Sequence, residues 1–248
     1  MCLIVIALNQ LEDTPLIFLS NRDEFLQRPT KPMHWWEEED ILAGKDLKAG
    51  GTWLAISSNN QFAAVTNYRD IKNNNPNAPS RGAIPIDIIK DSPTEFGQYV
   101  QSHQEEWDKM NGFNLLYHNG QTTFYYSNIS KEIVVLQNGI YAISNAFLDT
   151  PWPKVISAKK QLKDNIQKNN IHSDSLIELL SNREKYPEEN LPDTGVGQEW
   201  ESILSPICIH SPIYGTRTHT IIIKDNKGKM SITEKQTLTQ EVKTFSIP

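Results

Sequence analysis

Two stretches decide the fold: CLIVIAL at residues 2–8 and LIFLSNRDE at residues 16–24. The first is continuously apolar and rich in β-branched residues, and a polar turn at residues 9–15 separates it from the second. This pattern predicts two paired strands, with the charged end at residues 20–24 lying near Cys2. A continuously apolar strand is usually buried on both faces, so we expect this sheet inside a layered structure.

The rest of the chain adds hairpins, then helices, then strands again. Residues 52–56 with 62–66, and residues 113–117 with 122–126, flank short turns and predict two hairpins. Strands followed by helices and then strands indicate an α+β fold, for which two stacked, mainly antiparallel sheets with helices outside would fit. Without an internal repeat or a low-complexity linker, residues 1–248 are interpreted as one domain. The predicted helices are residues 84–89, 95–109, 154–169 and 173–180, and the last strands are residues 218–224 and 230–234.

Composition excludes several classes of function. The formal net charge of −6 argues against nucleic-acid binding, which needs clustered cations. No apolar run approaches the roughly 20 residues that cross a bilayer, and the sequence lacks a signal peptide, so stable membrane insertion is not expected. Two cysteines give no disulfide framework and suit a reducing compartment, which predicts a cytoplasmic protein. The oligomeric state has no signal in the sequence.

Cys2 occupies an unusual position. Removal of Met1 would place a thiol and a free α-amine on one residue, and an α-amine can act as a general base near neutral pH. A nucleophile that carries its own base needs no histidine partner. The alternative is that Cys2 is a small apolar filler, because free cysteines are commonly buried.

Polar residues at strand ends are the other candidates. An arginine such as Arg22 favours a thiolate beside it, and a carboxylate such as Asp23 can orient an α-ammonium. The amides of Asn67 and Asn145 could donate to an oxyanion, and Arg217 lies just before a predicted strand. The alternative for residues 21–24 is an exposed strand end with a local ion pair. The alternative for Asn67, Asn145 and Arg217 is that each is an ordinary turn residue.

Two further groups are candidate ligand contacts. Trp35 and Trp36 are either core residues or a lid over a hydrophobic ligand. Cys208 and His210 share a strand face, but two ligands do not make a zinc site, so we expect no metal.

Ordered blocks of sequence resemble a known family. Asn21-Arg22-Asp23-Glu24 is the tetrapeptide that names the NRDE family, also called the transport and Golgi organisation family. Because further blocks agree in order along nearly the whole chain, the protein is identified as a member of that family. These blocks are AGGTWL at 49–54, AAVTNYR at 63–69, SRG at 80–82, FNLL at 113–116, LDTPWPKV at 148–155 and YGTRT at 214–218.

The family resembles, more distantly, the N-terminal-nucleophile cysteine amidases that cleave bile-salt and penicillin amides. This resemblance implies a four-layer αββα sandwich with Cys2 as nucleophile and base. It also implies that Arg22 and Asp23 tune the thiol, that Asn145 donates to the oxyanion, and that Arg217 supports the site. In those amidases the Arg and Asp are further apart, which leaves Asn21 and Glu24 as alternatives in this cluster. The residues expected to contact substrate are Asn21, Asn67, Arg69, Trp35 and Trp36.

Two functions of different class follow. The first is a cysteine amidohydrolase that cleaves an amide or other acyl bond of a small apolar substrate without any cofactor. The second is a non-catalytic protein that binds and carries haem, a lipid or acyl-CoA in the same pocket. Either function predicts a small apolar anionic ligand. Its negative charge could form ion pairs with Arg22, Arg69 and Arg217. The candidate axial ligands for a carried haem are Cys2, His34, His210 and His219.

Overall fold

Antiparallel sheets make up most of this fold. The computed structural model describes residues 3–248, and Met1 and Cys2 lie outside the described residues. The strands of the described part are β1 (Leu3–Leu8), β2 (Leu16–Phe25), β3 (Thr30–Trp36), β4 (Ile41–Asp46), β5 (Leu54–Ser57), β6 (Phe62–Asn67), β7 (Phe113–His118), β8 (Thr123–Ser127), β9 (Ile133–Leu136), β10 (Gly139–Ile143), β11 (Tyr214–Lys224), β12 (Met230–Gln236) and β13 (Val242–Ile247). The α-helices are α1 (Ile84–Asp91), α2 (Phe96–Trp107), α3 (Pro153–Gln167), α4 (Ser173–Leu180) and α5 (Gln198–Leu204).

The chain forms two compact units. The first contains the N-terminal residues up to Gln27 together with residues 138–248, and the second contains residues 28–137. The interpretation of residues 1–248 as one domain stays a prediction. Within residues 3–248 no helix is both long and apolar enough to span a bilayer.

The first unit contains a six-stranded antiparallel sheet in the order β10-β1-β2-β11-β12-β13. Helices α3 and α4 cover one face, where their apolar side chains pack against Leu3, Val5, Ile17 and Leu19. Successive strand residues point to opposite faces, so the other face carries a second set of buried apolar residues. Both faces of β1 and β2 are therefore buried, as the continuous apolar pattern predicted. The second set is Ile4, Ile6, Phe18, Ile222 and Ile232.

The second unit contains a seven-stranded sheet in the order β3-β4-β5-β6-β7-β8-β9. Its core includes Ile88 of α1, Trp107 of α2 and Phe113 of β7, all buried. All the strand pairs of both sheets are antiparallel. The predicted α+β class with two mainly antiparallel sheets is confirmed.

The charged end predicted for the second strand lies within β2, which runs through residues 20–24 to Phe25. It continues because β11 pairs with it along the whole polar stretch, from Ser20 with Thr220 to Phe25 with Tyr214. The backbone groups of the NRDE tetrapeptide are thus hydrogen-bonded in the sheet interior and do not form an exposed strand end.

Candidate functional site

Polar residues gather beside the start of β1. Leu3 pairs with Asn21 of β2, and Ile4 pairs with Ile143 at the end of β10. Just beyond those partners the two flanking strands lead to Arg22 and Asn145, which are 4% and 5% exposed. The register therefore places Arg22 one residue beyond the β2 partner of Leu3, and Asn145 two residues beyond the end of β10. Cys2, the predicted nucleophile, precedes Leu3 in the chain and lies outside the described residues.

The side chain of Asn21 is buried and makes three hydrogen bonds. Its Nδ2 donates to the carbonyl oxygens of Leu180 at 2.9 Å and Ile207 at 2.8 Å, and its Oδ1 lies 2.7 Å from Nδ1 of His219. The two carbonyl contacts fix the orientation of the amide, so His219 must carry its proton on Nδ1. These contacts tie the end of α4 and the segment around Ile207 to the sheet, while the expected contact of Asn21 with substrate stays a prediction.

His219 is the partner that sequence analysis did not connect with the NRDE tetrapeptide. It is 3% exposed, and its Nε2 lies 3.3 Å from the hydroxyl of Ser181. Burial, reinforced by the charges of Lys235 and Arg183, lowers the pKa of His219 to about 4. The ring is therefore neutral near pH 7, and both of its nitrogens have hydrogen-bond partners.

Asp23 belongs to a second buried network on the same strand. Its Oδ1 accepts the Thr216 hydroxyl at 2.5 Å, and Thr216 Oγ1 accepts the backbone N–H of Ile209 at 2.9 Å. Cys208 adjoins this network, and burial raises the pKa of its thiol, opposed by hydrogen bonds from Thr216 and Arg183. Asp23 thus orients the chain around Cys208, whose sulfur is held in the less reactive thiol form.

Arg22 and Arg217 provide the positive charge. Arg22 is buried and makes an ion pair with Glu24 at 3.9 Å. Arg217 occupies a β-bulge, because the β2–β11 register shifts between Thr216 and Thr218. Its Nη1 donates to the carbonyl of Phe25 at 3.1 Å, and burial lowers its pKa while Glu24 opposes the change. A β-bulge changes the direction in which a side chain points, and this bulge changes the direction of the Arg217 guanidinium beside the NRDE tetrapeptide.

The remaining predicted substrate contacts belong to the second unit. Asn67 is exposed at the end of β6, and Arg69 is partly exposed two residues later. Trp36 is a core residue that donates its indole N–H to Ala43 at 3.2 Å and lies under the Lys45 ammonium at 4.4 Å from its ring centre. Trp35, its neighbour on β3, is 36% exposed. The core alternative therefore applies to Trp36, while substrate contact by the other three stays a prediction.

Other family blocks have packing roles in the second unit. A Cβ atom on Gly51 would lie 2.5 Å from the backbone of Gly82, and Thr52 N–H donates to Gly82 oxygen at 2.9 Å. The amide of Asn114 donates to Thr66 at 3.0 Å and accepts from the Tyr125 hydroxyl at 2.8 Å, all three residues being buried. These contacts give packing roles to Gly51 and Thr52 of the AGGTWL block, Gly82 of the SRG block and Asn114 of the FNLL block.

Metal ligands do not cluster in the described part of the chain. No group of three or more His, Cys, Asp or Glu residues between residues 3 and 248 is arranged to hold a metal ion. Cys208 and His210 were expected on one strand face, but the chain is irregular there and His210 forms only an isolated bridge with Gly215; the pair gains no third ligand among these residues.

Fold and site together define an α+β protein of two antiparallel sheets with a buried polar cluster beside the start of its first strand. The family model for Transport and Golgi organisation 2 matches residues 1–239. The chain belongs to that family, which confirms the membership inferred from the NRDE tetrapeptide and its accompanying blocks.

Curated relatives agree with this assignment. The chain is 33% identical over 244 residues to the Transport and Golgi organization 2 homolog of Mus musculus, covering 91% of this chain and 88% of that protein. It is 32% identical over 246 residues to the Homo sapiens homolog, covering 92% of this chain and 88% of that protein. The Drosophila melanogaster protein is 28% identical over 243 residues, covering 89% and 85%.

Two solved amidase structures are also similar. A Caenorhabditis elegans N-acylethanolamine-hydrolyzing acid amidase ortholog has a TM-score of 0.47 and 11% identity, covering 90% of this chain and 92% of that one. The C2A mutant of conjugated bile acid hydrolase from Clostridium perfringens has a TM-score of 0.49 and 8% identity, covering 99% and 96%.

Proposed function

We propose that the protein is a cysteine amidohydrolase of the N-terminal-nucleophile type, acting in the cytoplasm on an amide or other acyl bond of a small apolar substrate. The observation that carries this proposal is the pairing of Leu3 with Asn21, because it brings the buried Arg22 next to the strand that Cys2 precedes. Without a basic residue nearby, a thiol titrates above neutral pH and is a weak nucleophile.

The proposed reaction has two steps. After removal of Met1, the α-amine of Cys2 takes the thiol proton, and the sulfur attacks the substrate carbonyl. The carbon–nitrogen bond then breaks, the amine leaves with that proton, and a thioester remains on Cys2. Water cleaves the thioester, which releases the acid and restores the thiol.

The flanking side chains have distinct proposed roles. Arg22 favours the thiolate through its charge, as expected for a cation beside a sulfur. Asn145, which follows the end of β10 next to β1, is proposed to donate its amide N–H to the oxyanion. Arg217 is proposed to hold the end of β2 through Phe25, and Asp23 to position the strand through Thr216.

The test is the intact mass of native protein before and after treatment with a β-lactone that acylates activated thiols. We expect a mass lower by Met1 and one label that peptide mapping assigns to Cys2. Cys2→Ala should abolish the label, whereas the control Cys208→Ala should keep it. Retention of Met1, or labelling of Cys2 no faster than in unfolded protein, would contradict the amidohydrolase. The same result would favour the carrier function, to be measured by haem and acyl-CoA titration.

A further inference from the structure

Two buried threonines on β11 have hydroxyl groups that no described residue satisfies. Thr218 and Thr220 are each 1% exposed, and neither Oγ1 has a hydrogen-bond partner within residues 3–248. A buried hydroxyl without a partner is costly, so a native structure that keeps two side by side requires an explanation.

The side of the sheet to which these hydroxyls point is defined by His219. This residue lies between them on β11 and bonds Asn21 and Ser181, on the side covered by α4. Because neighbouring strand residues alternate between faces, Thr218 and Thr220 belong to the opposite face. That face also carries the buried apolar residues Phe18 and Ile222.

Cross-strand neighbours give the two hydroxyls opposite electrostatic surroundings. Thr218 pairs with Arg22 on β2 and with the neutral Gln236 on β12. A guanidinium can only donate, so a ligand group held by Arg22 and Thr218 must be a hydrogen-bond acceptor such as a carboxylate or carbonyl.

The surroundings of Thr220 have the opposite polarity. It pairs with Ser20 on β2 and with the buried Glu234 on β12, whose Oε1 accepts from Gln236 at 2.8 Å. Lys243 of β13 pairs with Glu234 and makes its own ion pair with Glu241 at 3.7 Å. The carboxyl oxygens of Glu234 are acceptors, so a ligand group held by Thr220 and Glu234 must be a donor such as an N–H or ammonium.

We propose that Thr218 and Thr220 form a binding subsite for an amino-carboxylate or amido-carboxylate group. Its carboxylate or carbonyl binds Thr218 and Arg22, and its N–H group binds Thr220 and Glu234. Two residues along a strand span about 7 Å, which sets the separation between acceptor and donor in the ligand. The identification of this group as the polar part of the substrate rests on the proposed amidohydrolase, because Arg22 belongs to both the subsite and the proposed catalytic site. The binding itself requires no hydrolysis.

Calorimetric titration of the full chain with 6-aminohexanoate tests the subsite, because its amine and carboxylate are about 7 Å apart when extended. Hexanoate and hexylamine, each lacking one end, are the matched probes. We expect Thr218→Val to weaken 6-aminohexanoate and hexanoate about tenfold but to spare hexylamine. Thr220→Val should weaken 6-aminohexanoate and hexylamine and spare hexanoate, and Thr218→Ser, which keeps the hydroxyl, should restore binding.

Thermal unfolding separates a ligand-binding role from a structural one. Valine has nearly the shape of threonine, so both Val variants should melt at the same temperature as the wild type or higher if the hydroxyls have no partner in the free protein. Lower melting temperatures for both, no binding of 6-aminohexanoate, or equal binding by the Val variants would each overturn the subsite. Cys2→Ala should bind the probes like the wild type, so failure of the amidohydrolase chemistry would leave this result intact.

Discussion

Nδ1 of His219 lies 2.7 Å from Oδ1 of Asn21, and both side chains are buried between the sheet and α4. This contact joins the NRDE tetrapeptide to a residue about 200 positions later in the chain. Because the amide of Asn21 also holds two backbone carbonyls, the pair anchors the covering segments of the first unit on β2 and β11. The first two predictions test it.

Stability should fall as the pH is lowered from about 6.5 to about 4. The pKa of His219 drops from its ordinary 6.5 to about 4 in the fold, so the unfolded chain binds a proton in this range that the folded protein does not. The difference corresponds to about 3 kcal/mol, fully present above pH 6.5 and lost as the pH falls towards 4. Urea unfolding at several pH values would measure it. His219→Gln should remove this part of the slope, whereas His210→Gln, at an exposed histidine, should not; equal slopes in both variants would refute the assignment.

Asn21→Asp should destabilise the first unit by about 3 kcal/mol, because it turns a carboxylate oxygen towards the carbonyls of Leu180 and Ile207. The midpoint of urea unfolding would report the loss. Asn9→Asp is the matched control, since Asn9 donates to Asn138 at an exposed site and should change stability by no more than about 0.5 kcal/mol. Similar midpoints for the two variants would show that the Asn21 contacts do not hold the fold.

Gly51→Ala should destabilise the second unit by more than about 3 kcal/mol, because the added methyl would lie 2.5 Å from the backbone of Gly82. The same substitution at Gly97, inside α2, meets no atom within 4 Å and should stabilise by about 0.5–1 kcal/mol. Thermal unfolding of both variants would decide, and a melting temperature for Gly51→Ala at or above the wild type would disprove the close packing.

Cys208 should react slowly with iodoacetamide in the native protein at pH 7.5. The residue is 4% exposed and burial raises the pKa of its thiol, so both access and thiolate content are low. We expect alkylation at least about tenfold slower than for the same residue in urea, measured by peptide mass spectrometry. Equal rates in the two conditions would mean that the loop around Cys208 is open.

The sequence was most informative where burial is simple. Strands β1, β5 and β6 and helix α4 were predictable because each carries a strong apolar signal of the right period. The neighbouring strands β3 and β4 were missed. Pro32 argues against a central strand, but β3 is an edge strand, where proline is tolerated.

Other features depend on partners that are distant in the sequence. β11 pairs with β2 along the whole NRDE tetrapeptide, and no local pattern records that pairing. The spacing did contain one unused signal: Asn21 and Asp23 follow Ile17 and Leu19 at intervals of two, and so share the face that α3 and α4 cover. That alternation indicates that the side chain of Asn21 lies under the covering helices.

The interruption of the first unit by residues 28–137 has a consequence for synthesis on the ribosome. Strand β2 emerges early, but its partner β11 follows almost 190 residues later, so the six-stranded sheet cannot close until the residues of β11, β12 and β13 have been made. The second unit is continuous in sequence and can fold while the first waits. Because contacts of such long separation form slowly, the apolar strands β1 and β2 are the segments most exposed to aggregation in the nascent chain.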